Sequence, residues 1–254
     1  MWLGKPHSKQ GQAEGELPAR RKATLRVGRI EGWSPLAQVS TEPRLQGDSP
    51  SPHPRSRHDY DRRVEIPDAI EPVIHCERLE LHHLAAHELI ALHADVEDTS
   101  IYESHVYRNP HRVLVDGPSP VHWRVPQVID NPSSNKWFIR WMVLRATNEI
   151  IGSLSFHAPP DDAGMLEIGL GVHEKFQRQG FAREALTALW LWACSQPGVR
   201  TLRYTVDPNN EPSVALVRSF HFTHVGQQID EIDGPEDIYE ISVEDFRRLH
   251  TPQI

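Results

Sequence analysis

Met165-Leu-Glu-Ile-Gly-Leu-Gly-Val172, followed four residues later by Gln177-Arg178-Gln179-Gly180-Phe181-Ala182, is the stretch whose reading decides the fold. In the first segment Leu166, Ile168, Leu170 and Val172 alternate with Glu167, Gly169 and Gly171, the period of a strand with one apolar face. Two glycines inside a strand weaken it. The usual compensations are close approach of a ligand or another backbone, a bulge, or tight packing against a helix. The second face therefore carries one carboxylate beside open space. Gly169-x-Gly171 is not a dinucleotide fingerprint, because it lies within the strand and lacks a third glycine before a helix. The second segment opens an apolar helix predicted over 181–196. Gly180 permits a tight turn, and small Ala182 lets the first helical turn approach a ligand. Unpaired N–H groups there, with the helix dipole, make an anion site to which Arg178 and Arg183 can add charge-assisted contacts.

Outward from this core, Thr201–Val206 reads as a strand, and Asp207-Pro-Asn-Asn210-Glu-Pro-Ser213 leads into a helix over 211–220. Strands are predicted near 222–225 and 237–243. Upstream, Trp137, Ile139, Trp141 and Val143 share one strand face, Ala146-Thr-Asn-Glu149 is a polar turn, and 150–157 returns as a hairpin. Arg78–His82 alternates as a strand and runs into Ala85, Leu89 and Leu92 on one helix face. Pro110, Pro118, Pro120, Pro126 and Pro132 break 96–135 into short helices and loops. The order β-α, β-β-β, α-β-α-β-β predicts an α/β (α+β) domain, a mixed sheet flanked by helices.

Gln177–Ala182 resembles the (Gln/Arg)-x-x-Gly-x-(Gly/Ala) pyrophosphate motif of the GNAT (N-acetyltransferase) superfamily. Glu167-Ile-Gly169 and Asn210-Glu-Pro-Ser213 resemble its RimL-like branch of ribosomal-protein N-acetyltransferases. The similarity runs from about Ile74 to Phe246 and takes in Glu77–Leu81 and Tyr239-Glu-Ile241. It implies the GNAT fold, a mostly antiparallel central sheet holding the cosubstrate acetyl-CoA between two splayed strands. It further implies that pantetheine pairs with the strand ending near Val172 and that Asn210 contacts its arm. Gln177, Arg178 and Arg183 would line the phosphate site, and the backbone amides of Gln179, Gly180, Phe181 and Ala182 would hold the pyrophosphate. The implied reaction moves an acetyl group directly to a primary amine, on a protein N-terminus or a small molecule, with no covalent enzyme intermediate and no metal.

This chemistry needs a neutral amine. An α-amino group of pKa about 7.7–8.0 needs less help than a lysine near 10.4. Glu167 is the candidate base, directly or through a water; its other reading is a structural carboxylate. The departing thiolate needs a proton. The tyrosine that many relatives carry for this purpose is Val217 here, and the usual glycine of the family's Gly-Phe ending is His221. Ser213 is the nearest replacement acid, or else a helix N-terminal residue bonding backbone. The missing tyrosine also keeps open a different function, a catalytically silent acyl-CoA-binding module acting as a sensor or interaction partner. His83 and His87 stand i, i+4 on the predicted helix, but nothing completes a metal set and a solvated face is the simpler reading. His157 is read as a proton relay or an edge histidine, and Trp190 and Trp192 as core.

Composition splits the 254 residues in two. Residues 1–60 hold ten Lys/Arg against six Asp/Glu, while the rest holds 17 against 29, so a net −8 is the sum of +4 and −12. Residues 1–72, rich in Pro, Arg and Ser, are predicted to be a disordered extension before a GNAT domain at 73–254. Its alternatives are an inert tail and a basic arm making weak contact with RNA or the ribosome through residues 1–60. The longest apolar run, Ala185–Cys194, is half of the roughly 20 residues that span a membrane, and no signal peptide is expected. Two cysteines without a C-x-x-C pair predict free thiols. The expectation is a cytoplasmic monomer or homodimer.

Overall fold

The alternating segment at 165–172 becomes the strand at which a long sheet changes direction. The computed structural model describes residues 70–117, 119–230 and 234–251; most of the predicted extension, up to residue 69, lies outside them. The strands are β1 (Ile74–His75), β2 (Leu79–His83), β3 (Arg140–Leu144), β4 (Glu149–Phe156), β5 (Met165–Val172), β6 (Thr201–Val206), β7 (Thr223–Asp230) and β8 (Gly234–Ser242). They form one sheet in the order β1-β2-β3-β4-β5-β6-β8-β7. Every neighbouring pair is antiparallel except β5 and β6. This is the mixed, mostly antiparallel sheet expected from the sequence.

The parallel junction is short. Met165, Leu166 and Glu167 pair with Thr201, Leu202 and Arg203. Beyond Glu167, β5 stays with β4 as far as Val172 opposite Gly152, and β6 stays with β8 as far as Val206 opposite Asp237. The inner edges of the two strands part from Ile168 and Tyr204 onward, which leaves a wedge in the middle of the sheet. On its β4 side the backbones press together: a Cβ on Gly152 would stand 2.4 Å from the Gly171 carbonyl oxygen, so only glycine fits there.

Among the described residues five α-helices flank the sheet: α1 (Ala86–Ala94), α2 (Val121–Asp130), α3 (Phe181–Cys194), α4 (Glu211–Arg218) and α5 (Val243–His250). α3 buries Phe181, Ala185, Leu186, Leu189, Trp190, Ala193 and Cys194, an i, i+4, i+8 stripe that covers the apolar face of β5. Trp190 lies among the rings of Tyr204, Phe220, Phe222 and Phe246, and Trp192 meets Trp137 and Phe156. Trp190 therefore packs in the core, as read from the sequence, whereas Trp192 is half-buried against it. α2 lies on the opposite face, reaching Ser155 through Arg124 and the His157 carbonyl through Gln127.

Several local expectations change. Trp137 is not in a strand; it ends a 3-10 turn (Pro132–Trp137) whose first residue is a proline, and β3 starts only at Arg140. β3 is buried on both faces, because helices cover the sheet on both sides. The last hairpin is longer than predicted, its polar outer strand Thr223–Asp230 lacking the apolar alternation that marks a strand. Val243 opens α5, where Ser242 caps the helix by accepting the Asp245 N–H at 3.0 Å, rather than closing a strand. Glu71 and Pro72 already bond to the domain, through His83 Nδ1 and Arg140 Nη1, on the extension side of the predicted boundary at 73. Both cysteines are free, Cys194 buried and Cys76 half-buried, and burial pushes each thiol up to about 11.

The His83–His87 pair dissolves. His83 ends β2 instead of starting a helix, and its Nε2 donates to the Asn135 carbonyl at 2.9 Å while Nδ1 accepts from the Glu71 N–H. Burial pushes this histidine down to about 4, although its bond to Asn135 works the other way, so it stays neutral. His87 is exposed on α1. No cluster of three or more metal-ligating side chains occurs among the described residues, and no helix among them is long and apolar enough to cross a membrane.

Candidate active site

The turn before α3 has the conformation its sequence demands. Gly180 is the helix N-cap residue, with φ +85°, and Arg178 is also left-handed, with φ +59°. The backbone N–H groups of Gln179, Gly180, Phe181 and Ala182 have no acceptor among the described residues. They converge where the dipole of a 14-residue helix begins, which is the arrangement that binds phosphate. Gln177 donates from Nε2 to the Val172 carbonyl at 2.9 Å and ties the loop to the end of β5. Gln179 Nε2 donates to the Lys175 carbonyl at 2.8 Å.

Arg78, placed by the sequence only in the opening strand, fastens this loop from outside. Its Nη1 donates to the Gln179 carbonyl at 2.9 Å, its Nε pairs with Glu184 at 2.8 Å, and its guanidinium lies 4.3 Å from the centre of the Phe181 ring. Glu184, in the first turn of α3, also accepts the Arg78 and Leu79 backbone N–H groups. We expect Arg78→Ala to weaken anion binding at this turn about tenfold, because the charge-assisted hydrogen bond to the Gln179 carbonyl and the Glu184 ion pair that hold the loop are both lost. Calorimetric titration with inorganic pyrophosphate would check this; an unchanged affinity would show that the loop keeps its shape unaided.

Two predicted site residues point elsewhere. Arg183 turns from the loop to the C-terminal end of α4, where it bonds the Ser219 carbonyl and hydroxyl and lies 4.7 Å from the Phe220 ring centre. Helix C-terminal carbonyls attract guanidinium groups in this way. Ser213 is 1% exposed, its hydroxyl 2.7 Å from Tyr204 Oη and its N–H held by Asn210 Oδ1. Asn210 thus caps α4. Tyr204, buried on β6 and missed by the sequence reading, is pushed up to about 12 by burial, partly offset by the Ser213 hydrogen bond.

At the point where β5 and β6 part, Glu167 gathers a polar group. Its Oε1 accepts from Thr205 Oγ1 at 2.7 Å and lies 3.4 Å from His157 Nδ1, joining β5, β6 and the residue that follows β4. Burial opposes its ionisation, but His157, Thr205 and Arg203 together hold the carboxyl below its ordinary range. Arg203 itself pairs with Glu240. The Glu167 face of β5 continues over Gly169 and Gly171, opposite Ser155 and Ser153, and α2 covers it with Arg124. A separate polar hollow bounded by Thr201, His221, Glu240, Asp245 and Arg248 contains none of the loop or glycine-face residues. The signal that could have revealed Arg124 is its position on the stripe Val121, Val125, Val128, where a charged residue breaks an otherwise apolar face.

A splayed strand pair, with a turn of unpaired N–H groups at a helix start and a buried carboxylate where the strands meet, is the arrangement of an acyltransferase domain. The family model described as "Acetyltransferase (GNAT) domain" matches residues 78–223, and the chain belongs to that family. Among curated relatives it is similar to the uncharacterized N-acetyltransferase YjdG of Bacillus subtilis (strain 168), 29% identical over 97 residues, which are 38% of this chain and 58% of the relative. It is also similar to the uncharacterized N-acetyltransferase p20 of Bacillus licheniformis, 28% identical over 85 residues, 34% of this chain and 48% of the relative. The chain thus spans about half the length of the curated relatives it matches. Similar solved structures include a GNAT-family acetyltransferase from Bacillus anthracis, at 20% identity and TM-score 0.47, covering 68% of this chain and 99% of that one. Another is the acetyltransferase from Salmonella typhimurium that modifies the N-terminal serine of ribosomal protein L7/L12, at 22% identity and TM-score 0.47, covering 67% and 99%.

Proposed function

We propose that the protein is an acetyl-CoA-dependent N-acetyltransferase of the RimL-like branch that acetylates a primary amine by direct transfer. The observation that carries this reading is the wedge between β5 and β6, with unpaired loop N–H groups at its helix end and Glu167 at its root. The site's residues fit the cosubstrate: Gly180 leaves a cradle and four N–H donors for the diphosphate, and the inner edge of β5 beyond Glu167 is free of strand partners. Bound acetyl-CoA supplies the activated acetyl group.

The chain's own residues then do three things. The loop of 179–182 holds the diphosphate, and Gln177 fixes the loop to β5. Glu167 attracts the acceptor's ammonium and takes its proton through a water, with His157 adjacent to share the charge. The neutral amine nitrogen forms the C–N bond as the C–S bond breaks; the departing sulfur takes a proton and the amide nitrogen releases one, so the products are the acetamide and the free thiol. The test is release of CoA thiol over a panel of primary amines. Turnover with at least one class of amine, absent without enzyme, supports the reading, and none with any class defeats it.

One observation favours a second reading, the silent acyl-CoA-binding module. Ser213, the replacement acid, is sealed between Tyr204 and Asn210, and Val217 stands where many relatives carry a tyrosine. Calorimetric binding of CoA without turnover would select it.

A further inference from the structure

α2 places a cation where the fold gives it little to do. Arg124 is only 6% exposed, yet among the described residues its guanidinium forms no ion pair and donates one hydrogen bond, from Nε to Ser155 Oγ at 3.2 Å. Of the five N–H donors of a guanidinium, four are left without a protein acceptor. Burying a charge is costly unless it is paired. The other deeply buried arginine, Arg140, has Nε and Nη2 sealed without partners, whereas no atom of Arg124 is sealed in this way. Its remaining donors therefore face accessible space.

The glycine face adjoins this guanidinium through Ser155. Ser155 stands opposite Gly169 on β5, and Glu167, two residues along the same face, acts electrostatically on Arg124. Ser153, opposite Gly171, has a buried hydroxyl that also lacks a partner. Val121, Val125 and Val128 anchor the helix in the core, and Phe138 lies under the guanidinium, 5.6 Å from ring centre to Cζ. The arginine is thus held in place, with its planar fork free to meet a carboxylate through two parallel hydrogen bonds.

We propose that Arg124 binds a carboxylate on the acceptor, so that the enzyme's substrates are small amino acids or amino-acid-like zwitterions. This rests on the transferase reading above. The two charges of such a molecule match the two groups on the face: its ammonium goes to Glu167 and its carboxylate to Arg124. A polyamine would instead bring a second ammonium against a buried guanidinium. The net −12 of residues 61–254 averages over a whole surface; the local charge at the glycine face points to a zwitterion.

The experiment compares amino acids and ω-amino acids with their own carboxamides as acceptors, using the full chain with acetyl-CoA and expressing rates per neutral amine. We expect the acid to exceed its amide by about a hundredfold in kcat/KM, the scale of removing one partner from a buried charge pair. Arg124→Gln should reduce that ratio to a few-fold through KM, and Arg124→Lys should restore part of it. Equal use of acid and amide, or preference for diamines or peptide N-termini, overturns the proposal while leaving the transferase reading intact. If no amine turns over, saturation-transfer NMR of the same acids and amides on CoA-saturated protein decides. Binding of acids alone, lost in Arg124→Gln, upholds the carboxylate site and sinks the transferase reading; equal or absent binding of acids overturns the proposal.

Discussion

Gly180→Glu should abolish acetyl-CoA binding, raising its KM by more than about a hundredfold and removing the calorimetric heat of CoA binding. Three effects act in the same direction. The residue sits at φ +85°, where a side chain costs about 1–2 kcal/mol. A Cβ there would lie 3.3 Å from Arg78 Nη2, close enough to push on the group that fastens the loop. Most of all, the new carboxylate would stand among the N–H donors that the diphosphate needs, and it would pair with Arg78 besides. Gly180 is exposed, so the fold should survive and the thermal midpoint should move little. Gly180→Ala, which brings the strain without the charge, should fall between. An unchanged KM in Gly180→Glu would remove the pyrophosphate assignment.

The second large effect belongs to Glu167→Gln, which should lower kcat about a hundredfold or more, the usual contribution of a positioned base, with the KM for acetyl-CoA unaffected. Glutamine keeps the shape and can still accept from Thr205 Oγ1, so the change isolates the charge. The pH profile separates roles further. Burial raises the Glu167 carboxyl, but His157, Thr205 and Arg203 outweigh it and hold the group below the usual carboxylate range. The rise of rate with pH should therefore follow the acceptor amine, near 7.7–8.0 for an α-amino group of a peptide, and should move when an acceptor of different pKa is used. For folding the sign is the usual one for a depressed carboxylate. Its stabilising contribution is present above the ordinary carboxylate range and is lost as pH falls through the lower folded value, so Glu167→Gln should weaken the acid dependence of the thermal midpoint. A kcat within twofold of the parent would assign Glu167 a structural role.

The parts of this molecule that were legible in its sequence are those where backbone geometry and side-chain period agree. β5 and β6 occur at the residues predicted, because strict alternation admits no other pitch, and the α3 start follows from a glycine that must be left-handed. Trp137 was misplaced because an aromatic that packs from a 3-10 turn looks, at period two, like the first residue of the strand behind it. α5 was missed because it is short and polar, with only Phe246 buried. Side-chain partners are less legible still. Arg183 stands where a phosphate contact is expected and reaches instead for the end of another helix, and Ser213 is capped from above and bonded from below. Arg78 and Arg124 act across sequence separations of 101 and 31 residues, distances over which no periodicity carries information.

The junction of β5 with β6 has a mechanical meaning. Only three residue pairs stitch the first five strands to the last three, so the sheet has a seam, and the chain crosses it by way of α3. Material lodged along the open part of that seam would complete a ladder that the strands leave unfinished and bridge the two halves of the sheet. Occupancy and cohesion are then one quantity, and the loaded molecule is the sturdier one by mass action.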